Sequence, residues 1–331
     1  MAEATLPTLP RRPLGTTGLL VTPICAGGAP LGSMPDTFGY AVPEEQAIAT
    51  IRAIFASPIN FLDTAAAYGD GESERRIGLV IRELGGLPNG FVLATKADRD
   101  LATRRFDAEQ VKRSVERSLR LLGLDRLQLV YFHDPEHAGL SVAEAMAPGG
   151  PVEALLRLKE EGVIQHVGIA AGPVEMMMQY VETGVFEAVI THNRYTLLNR
   201  TAEPLIALAA ERGLGVVNAA PYGSGILAKG PDAYPRYAYR DASPALLERV
   251  RQLAAICARY NVPLAAAALQ FSLRDPRISA TIVGMSRPER IAETVRLATM
   301  PIPEGLWDEL LQVPPFTEDP QTGQPVRLPS S

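Results

Sequence analysis

Cysteine is almost missing from this chain of 331 residues: Cys25 and Cys257 are the two present, too few for a disulfide framework. Cys25 sits in an apolar, strand-like stretch and Cys257 in a helical one, so both read as buried reduced thiols. Runs of lysine and arginine are absent as well. Arg11-Arg12 and Arg104-Arg105 are isolated pairs, and the formal net charge is −5, which argues against a nucleic-acid partner. No apolar run reaches the roughly 18 residues that a membrane span needs. Met1 to Pro10 lacks the basic-then-apolar order of a signal peptide, so the expected location is the cytoplasm. A glycine-rich dinucleotide fingerprint after the first strand is missing too: Gly27-Gly28 and Gly32 fall short of its spacing. That disfavours an open, doubly wound sheet.

What is present is an ordinary globular balance, 47% apolar and 21% charged, in a chain long enough to bury a sizeable core. Residues 11–22 read as a small hairpin turning at Gly15–Gly18, suited to plugging the bottom of a barrel. Strand-like runs then alternate with helical ones. The runs are Ile24–Ala26, Ile59–Leu62, Phe91–Thr95, Leu127–Phe132, Ile164–Ile169, Ala188–Ile190, Val216–Val217 and Thr281–Val283. Between them fall helices such as Asp107–Leu122, apolar at Val111, Val115, Leu119 and Leu122. Eight such units without a composition break predict one α/β domain over 1–331, a (β/α)8 TIM barrel with an N-terminal β-hairpin. The proline-rich stretch from Met300 reads as a tail, with 1–10 and 315–331 expected to be flexible.

Four residues carry the chemistry: Asp63, Tyr68, Lys96 and His133, each placed just beyond a strand-like run. In a parallel barrel the reacting groups collect at the carboxyl ends of the strands. An acid, a phenol, an ammonium and an imidazole on one rim form a proton-transfer group that calls for no metal. A tyrosine with its ordinary pKa near 10 is a poor acid or base at neutral pH. A cation beside it favours the phenolate, and a carboxylate holds that cation in place. Singly, each has a plain structural reading: a turn carboxylate, a packed ring, a surface charge, a loop His-Asp pair. Their joint placement at strand ends argues for function.

The stretch Phe61-Leu62-Asp63-Thr64-Ala65-Ala66-Ala67-Tyr68-Gly69, with Ala94-Thr95-Lys96 and Phe132-His133-Asp134, resembles the aldo-keto reductase superfamily. The likeness runs from about Arg12 to Leu297. It is strongest to the sugar 1-dehydrogenase branch (L-galactose, L-fucose and D-threo-aldose dehydrogenases), through Ala29-Pro30-Leu31-Gly32, Val167-Gly168-Ile169 and Val283-Gly284-Met285-Ser286. A pyridoxal dehydrogenase belongs to the same neighbourhood. The resemblance implies nicotinamide-dependent hydride transfer, with Tyr68 as general acid or base, Lys96 depressing its pKa, Asp63 pairing with Lys96, and His133 orienting the substrate oxygen.

For the dinucleotide, Pro221 to Leu227 offers small residues whose backbone N–H groups can approach a pyrophosphate, namely Tyr222, Gly223, Ser224, Gly225 and Ile226. An ordinary loop is the other reading. Gly28 and Ala29, after the first strand, are counted with the cofactor-binding residues, as is Gly284 after the eighth. By resemblance, Ser286 and Arg290 face the adenosine ribose or its phosphate, and Glu293 and Thr294 lie near the adenine.

Several positions depart from the family pattern. Ala170-Ala171 stands where many relatives carry a Ser-Asn pair for the carboxamide, and Ala219 where many carry a stacking aromatic. His192 replaces an expected glutamine, and the adjacent Asn193 is the substitute ligand for the carboxamide, with His192 alternatively a core imidazole. Met285 aligns with the lysine that neutralises the NADP phosphate, which leans the cofactor choice toward NAD, although Arg287 and Arg290 keep NADP open.

Three functions remain open on these grounds. The leading one oxidises the anomeric hydroxyl of an aldose to a lactone. The second reduces a bulkier ketone or aldehyde, or oxidises a pyridoxal-type alcohol. The third is a cofactor-binding regulatory subunit. The expected partner is a small-molecule substrate, with the oligomeric state undetermined. Substrate choice falls to the loops Ser33–Val42, Asp98–Phe106, Pro135–Gly150 and Lys229–Ser243.

Overall fold

The computed structural model describes residues 6–324 and Val326; the outermost parts of both expected tails lie outside the described residues. Eight parallel strands close into a barrel. They are β1 (Ile24–Gly27), β2 (Phe61–Asp63), β3 (Val92–Ala97), β4 (Leu127–His133), β5 (Ile164–Ala170), β6 (Ala188–His192), β7 (Gly215–Ala219) and β8 (Ile278–Gly284). Neighbours follow chain order, and β8 pairs with β7 on one side and β1 on the other.

Two apolar cores follow from the period of two along each strand. Alternate residues such as Phe61, Val92, Ala94, Leu129, Tyr131 and Ile282 fill the barrel interior. Their neighbours, including Leu62, Leu93, Val130 and Val283, face the ring of helices. The same alternation carries upward to the rim, so that Asp63, Lys96, His133 and His192 continue the inward-facing rows of β2, β3, β4 and β6.

The helices close around this ring. Ala108–Leu122 starts where Asp107 accepts a bond from the Gln110 N–H and stops at Gly123, whose φ is 71°. Glu72–Leu84 packs against it so closely that a Cβ at Gly78 would lie 2.0 Å from the Leu121 carbonyl oxygen. At the bottom, Arg12–Pro13 pairs with Leu20–Val21, and Leu14 and Val21 enter the interior core, so the hairpin plugs the barrel. Both cysteines are buried and unpaired.

The structure differs from the sequence reading in three places. Asp63, Lys96 and His133 belong to their strands, because β2, β3 and β4 run further than their apolar stretches. The region after Met300 contains a helix, Glu304–Gln312, which buries Leu306, Trp307 and Leu310 after the Pro303 start. The segment from 315 is held to the barrel over its described part. Phe316 bridges to Asn199, and Asp319 pairs at 2.7 Å with Arg194, which is 1% exposed. A buried guanidinium needs a partner, and this segment supplies it.

Candidate active site

Three neighbouring strands and one loop build the site. Lys96 Nζ donates to Asp63 Oδ2 at 2.6 Å, to the Thr64 carbonyl at 2.7 Å and to the Tyr68 hydroxyl oxygen at 3.1 Å. An ammonium has three hydrogens, and each is directed at one of these oxygens. Because the Tyr68 oxygen accepts from Lys96, its own proton is left free to face a substrate. Tyr68 reaches this position from the turn after β2, held by its N–H on the Ala65 carbonyl. The ring of His133 stands edge-on to Tyr68, centroids 6.1 Å apart. The structure thus brings Asp63, Tyr68 and Lys96 into direct contact and sets His133 beside them.

Asp63 and Lys96 are buried and Tyr68 is partly exposed at the rim, and this setting changes one expectation. Burial pushes the Tyr68 phenol above its ordinary value, and Lys96, although it pulls the other way, does not overcome it. Lys96 itself would be pulled down by burial, but Asp63 and Tyr68 outweigh this and hold it firmly charged. Burial raises Asp63 against the pull of Lys96. The lysine therefore limits a burial penalty on the phenolate; it does not bring the free phenol below its usual pKa.

The rest of the rim is less uniform. Asn193, at the end of β6 with φ 59°, accepts through Oδ1 from Ser224 Oγ at 3.2 Å, while its buried Nδ2 has no partner among the described residues. His192 is held neutral: burial and Arg194 lower its pKa to about 4. Gln321 from the C-terminal segment lies 2.9 Å from His192 Nε2, where its amide donates to the neutral ring. Ala170 and Ala171 are buried, and Ala219 contributes no ring.

In the loop after β7, Gly223 and Gly225 adopt φ 57° and 125°, and their N–H groups donate to Ala220 and Tyr222 inside the loop. Ser224 shares the left-handed backbone at φ 62°. Tyr237 covers Gly223 and Tyr234 covers Gly225, in each case where a Cβ would stand. Ile226 is buried in the helix layer beside Tyr222. Gly28 uses its backbone on the rim itself, donating to the Asp63 carbonyl at 2.7 Å and accepting from Ser73 Oγ at 2.8 Å. Ala29 follows it, partly exposed, at the start of a single 3-10 turn.

After β8, Gly284 leads into Met285, which is fully buried in the core and offers no charge to a phosphate. The Ser286 carbonyl accepts from Gln46 Nε2 at 2.6 Å. Arg290 lies 3.2 Å from Glu293 and close enough to Tyr222 to act on its phenol, and Thr294 is buried beneath. These residues therefore share one side of the mouth, between the ends of β7 and β8.

Sequence reasoning passed over two buried carboxylates. Asp98, 2% exposed, stands 2.6 Å from His133 Nδ1. Glu74 accepts from Thr95 Oγ1 at 2.5 Å, and burial raises its pKa to about 7. Its signal was readable, since it lies three and seven positions before the core residues Ile77 and Ile81 on one helix face. Asp98 had a local signal as well, standing two positions past Lys96 on the inward row of β3. Among the described residues no cluster of three metal-ligating side chains occurs, and no helix is long and apolar enough to cross a membrane.

Comparison with known proteins agrees with this geometry. The chain is 32% identical to a D-threo-aldose 1-dehydrogenase from Pseudomonas sp over 321 residues, 89% of this chain and 94% of that one. It is 32% identical to the L-galactose dehydrogenase of Arabidopsis thaliana, covering 87% of this chain and 88% of that one. The fold matches an aldo-keto reductase from Bacillus halodurans in its holo form, with a TM-score of 0.74 at 23% identity over 92% of this chain and 96% of that chain. The model of the aldo/keto reductase family matches residues 23–313. With the barrel and its rim of aspartate, tyrosine, lysine and histidine in place, the chain belongs to the aldo/keto reductase family.

Proposed function

We propose that this protein is a nicotinamide-dependent oxidoreductase that oxidises the C1 hydroxyl of an aldose to a lactone. The observation that carries the reading is Lys96 donating at once to Asp63 and to the Tyr68 oxygen. This leaves the phenol as the group able to exchange a proton with a substrate oxygen. In oxidation, the Tyr68 oxygen takes the C1 hydroxyl proton while Lys96 stabilises the negative charge that precedes this transfer. His133 orients the same substrate oxygen from the other side. In the reverse direction the phenol donates its proton to a carbonyl oxygen. Asp63 and Lys96 lie almost wholly out of solvent, which strengthens these electrostatic effects.

A nicotinamide dinucleotide suits the residues present. The unpartnered Nδ2 of Asn193 is a buried donor, and leaving such a donor unpaired costs about 1–3 kcal/mol, which a carboxamide carbonyl would remove. When bound, the nicotinamide supplies the hydride acceptor or donor. Tyr222 to Ile226, Gly28, Ala29 and Gly284 would form the walls around the phosphates. Ser286, Arg290, Glu293 and Thr294 would meet the adenosine end. NAD is the favoured form, and Arg290 is the cation available to an NADP phosphate. The reduced, unpaired cysteines and the acidic charge balance fit a cytoplasmic enzyme acting on a small molecule.

The sugar assignment draws on the two sugar dehydrogenases among the relatives and on an aromatic group at the mouth. Phe38 lies 6.0 Å from Tyr40 and 6.3 Å from Tyr239, centroid to centroid. The test is a panel assay of purified protein, with aldoses plus NAD or NADP and with ketones, aldehydes and pyridoxal-type alcohols. Lactone formation from an aldose is the expected result. Turnover confined to the carbonyl compounds or pyridoxal-type alcohols would replace this reading.

A further inference from the structure

We propose that Asp98 is a positioning residue for the reaction, holding the His133 ring and the backbone that leads into Tyr68 on the two oxygens of one carboxylate. The inference rests on the roles just given to Tyr68 and His133. Oδ1 stands 2.6 Å from His133 Nδ1, and Oδ2 accepts the Ala67 N–H at 2.8 Å. Asp98 is itself fixed on the helix Ala108–Leu122. Its N–H donates to Ser114 Oγ at 3.0 Å, and its carbonyl accepts from Gln110 Nε2 at 3.0 Å. The polar groups of this residue are thus all engaged, and the helix, the Tyr68 turn and the His133 ring meet at a single side chain.

A chemical consequence follows for the ring. A carboxylate only accepts hydrogen bonds, so the proton at this contact resides on His133 Nδ1. The neutral ring then presents Nε2 as a bare acceptor, suited to the O–H of an alcohol. The protonated ring presents Nε2–H, suited to a carbonyl oxygen. Asp98 therefore makes the role of His133 depend on direction: oxidation uses the neutral ring and reduction the cationic one. The charged and titratable groups around the ring are Asp98 after β3, Lys96 on β3, Asp63 on β2, Tyr68 after β2, Asp134 next in the chain and His192 on β6. Asp134 Oδ2 is 3.5 Å from Nε2, too far for a good hydrogen bond, so Nε2 stays open to a substrate. Burial pulls the ring toward neutrality, but Asp134 and Asp98 outweigh it and raise its pKa.

The test reads the proton directly. The chain has four histidines, so long-range ¹H–¹⁵N correlation spectra of the full-length protein, with and without NAD, can be assigned using His133→Gln. Above the ring's titration, the expected state is a protonated Nδ1 and a bare Nε2. In Asp98→Ala the proton moves toward Nε2. The kcat/KM for oxidation falls by about 10²-fold as the alignment loosens. The acid limb of its pH profile shifts to lower pH, because the ring has lost an anionic neighbour. Asp98→Asn, with one acceptor oxygen for two donors, falls between the two. It also serves as the folded variant if the alanine substitution destabilises the barrel. A bare Nδ1 in the wild-type protein would overturn the proposal, as would Asp98→Ala or Asp98→Asn with unchanged ring signals and an unchanged pH profile. The wild-type spectrum needs no turnover, so a failure of the aldose reading in the panel assay leaves this result standing on its own.

Discussion

At the scale of the residue, the three hydrogens of Lys96 organise the chemistry. Two of them go to Asp63 and Thr64 and fix the ammonium, and the third goes to the reacting tyrosine. Tyr68→Phe keeps the ring and removes the proton carrier. Turnover is expected to fall by roughly 10²–10⁴-fold with cofactor affinity little changed, and a variant with wild-type rate would remove Tyr68 from the reaction. Lys96→Met removes the charge that offsets burial, so the phenol pKa, already above its ordinary value, rises further. Phenolate then forms only at more alkaline pH. The basic rise of the oxidation profile should move upward, with activity nearly lost at pH 7 and partly recovered at high pH. A profile superimposable on the wild type would deny Lys96 an electrostatic part. Asp63→Asn should act in the same direction more weakly, because the lysine keeps the Thr64 carbonyl and the Tyr68 oxygen.

At the scale of the element, the strands were legible because short apolar runs between helical stretches are a local property of sequence. The collection of reacting groups at the carboxyl ends of barrel strands then placed Asp63, Lys96 and His133 on one rim before any contact was known. The contact of Asp98 was hidden: its partner is 35 residues away and meets it only once β3 and β4 pair in register. The C-terminal segment was misread because its prolines suggested a free tail, while the need came from Arg194, a buried cation over a hundred positions earlier. Asp319→Ala should therefore destabilise the protein by about 3 kcal/mol, the low end for breaking a buried pair, since Gln321 and the His192 carbonyl still accept from the guanidinium. Urea denaturation at pH 7 measures this. Although burial raises the Asp319 carboxyl, Arg194 and backbone N–H groups more than offset it, leaving it below its ordinary 3.8. A depressed carboxyl contributes stability above its unfolded pKa and loses that contribution as pH falls through the folded value. The gap between wild type and Asp319→Ala should accordingly persist at neutral pH and narrow in acid below pH 3.8. A gap independent of pH would show that the loss is one of packing.

At the scale of the whole molecule, the barrel separates its two ends. Stability features lie below: the hairpin plug at Leu14 and Val21, and Trp307 stacked against Arg274, 4.4 Å from its ring centre, just before β8 begins. The chemistry lies above, and the adenosine end of a dinucleotide would reach past β8 to Arg290. The 2′-phosphate of NADP carries close to two negative charges at neutral pH and needs a cation within hydrogen-bond reach. Met285 is buried and Arg287 is on the surface beside Glu289. Arg290, half-held by Glu293, is the better placed of the two arginines. Arg290→Ala should weaken NADP binding by roughly 10-fold or more, the loss of a charge-assisted bond of about 1.5–3 kcal/mol, and leave NAD binding nearly unchanged. Because Trp307 sits at the far end of the barrel, its fluorescence is a poor reporter, and calorimetric titration of both cofactors into both proteins is the measurement to use. Equal losses for NAD and NADP would assign Arg290 to the shared adenosine or to the helix it lies on, and the cation for the phosphate would have to come from elsewhere on the rim.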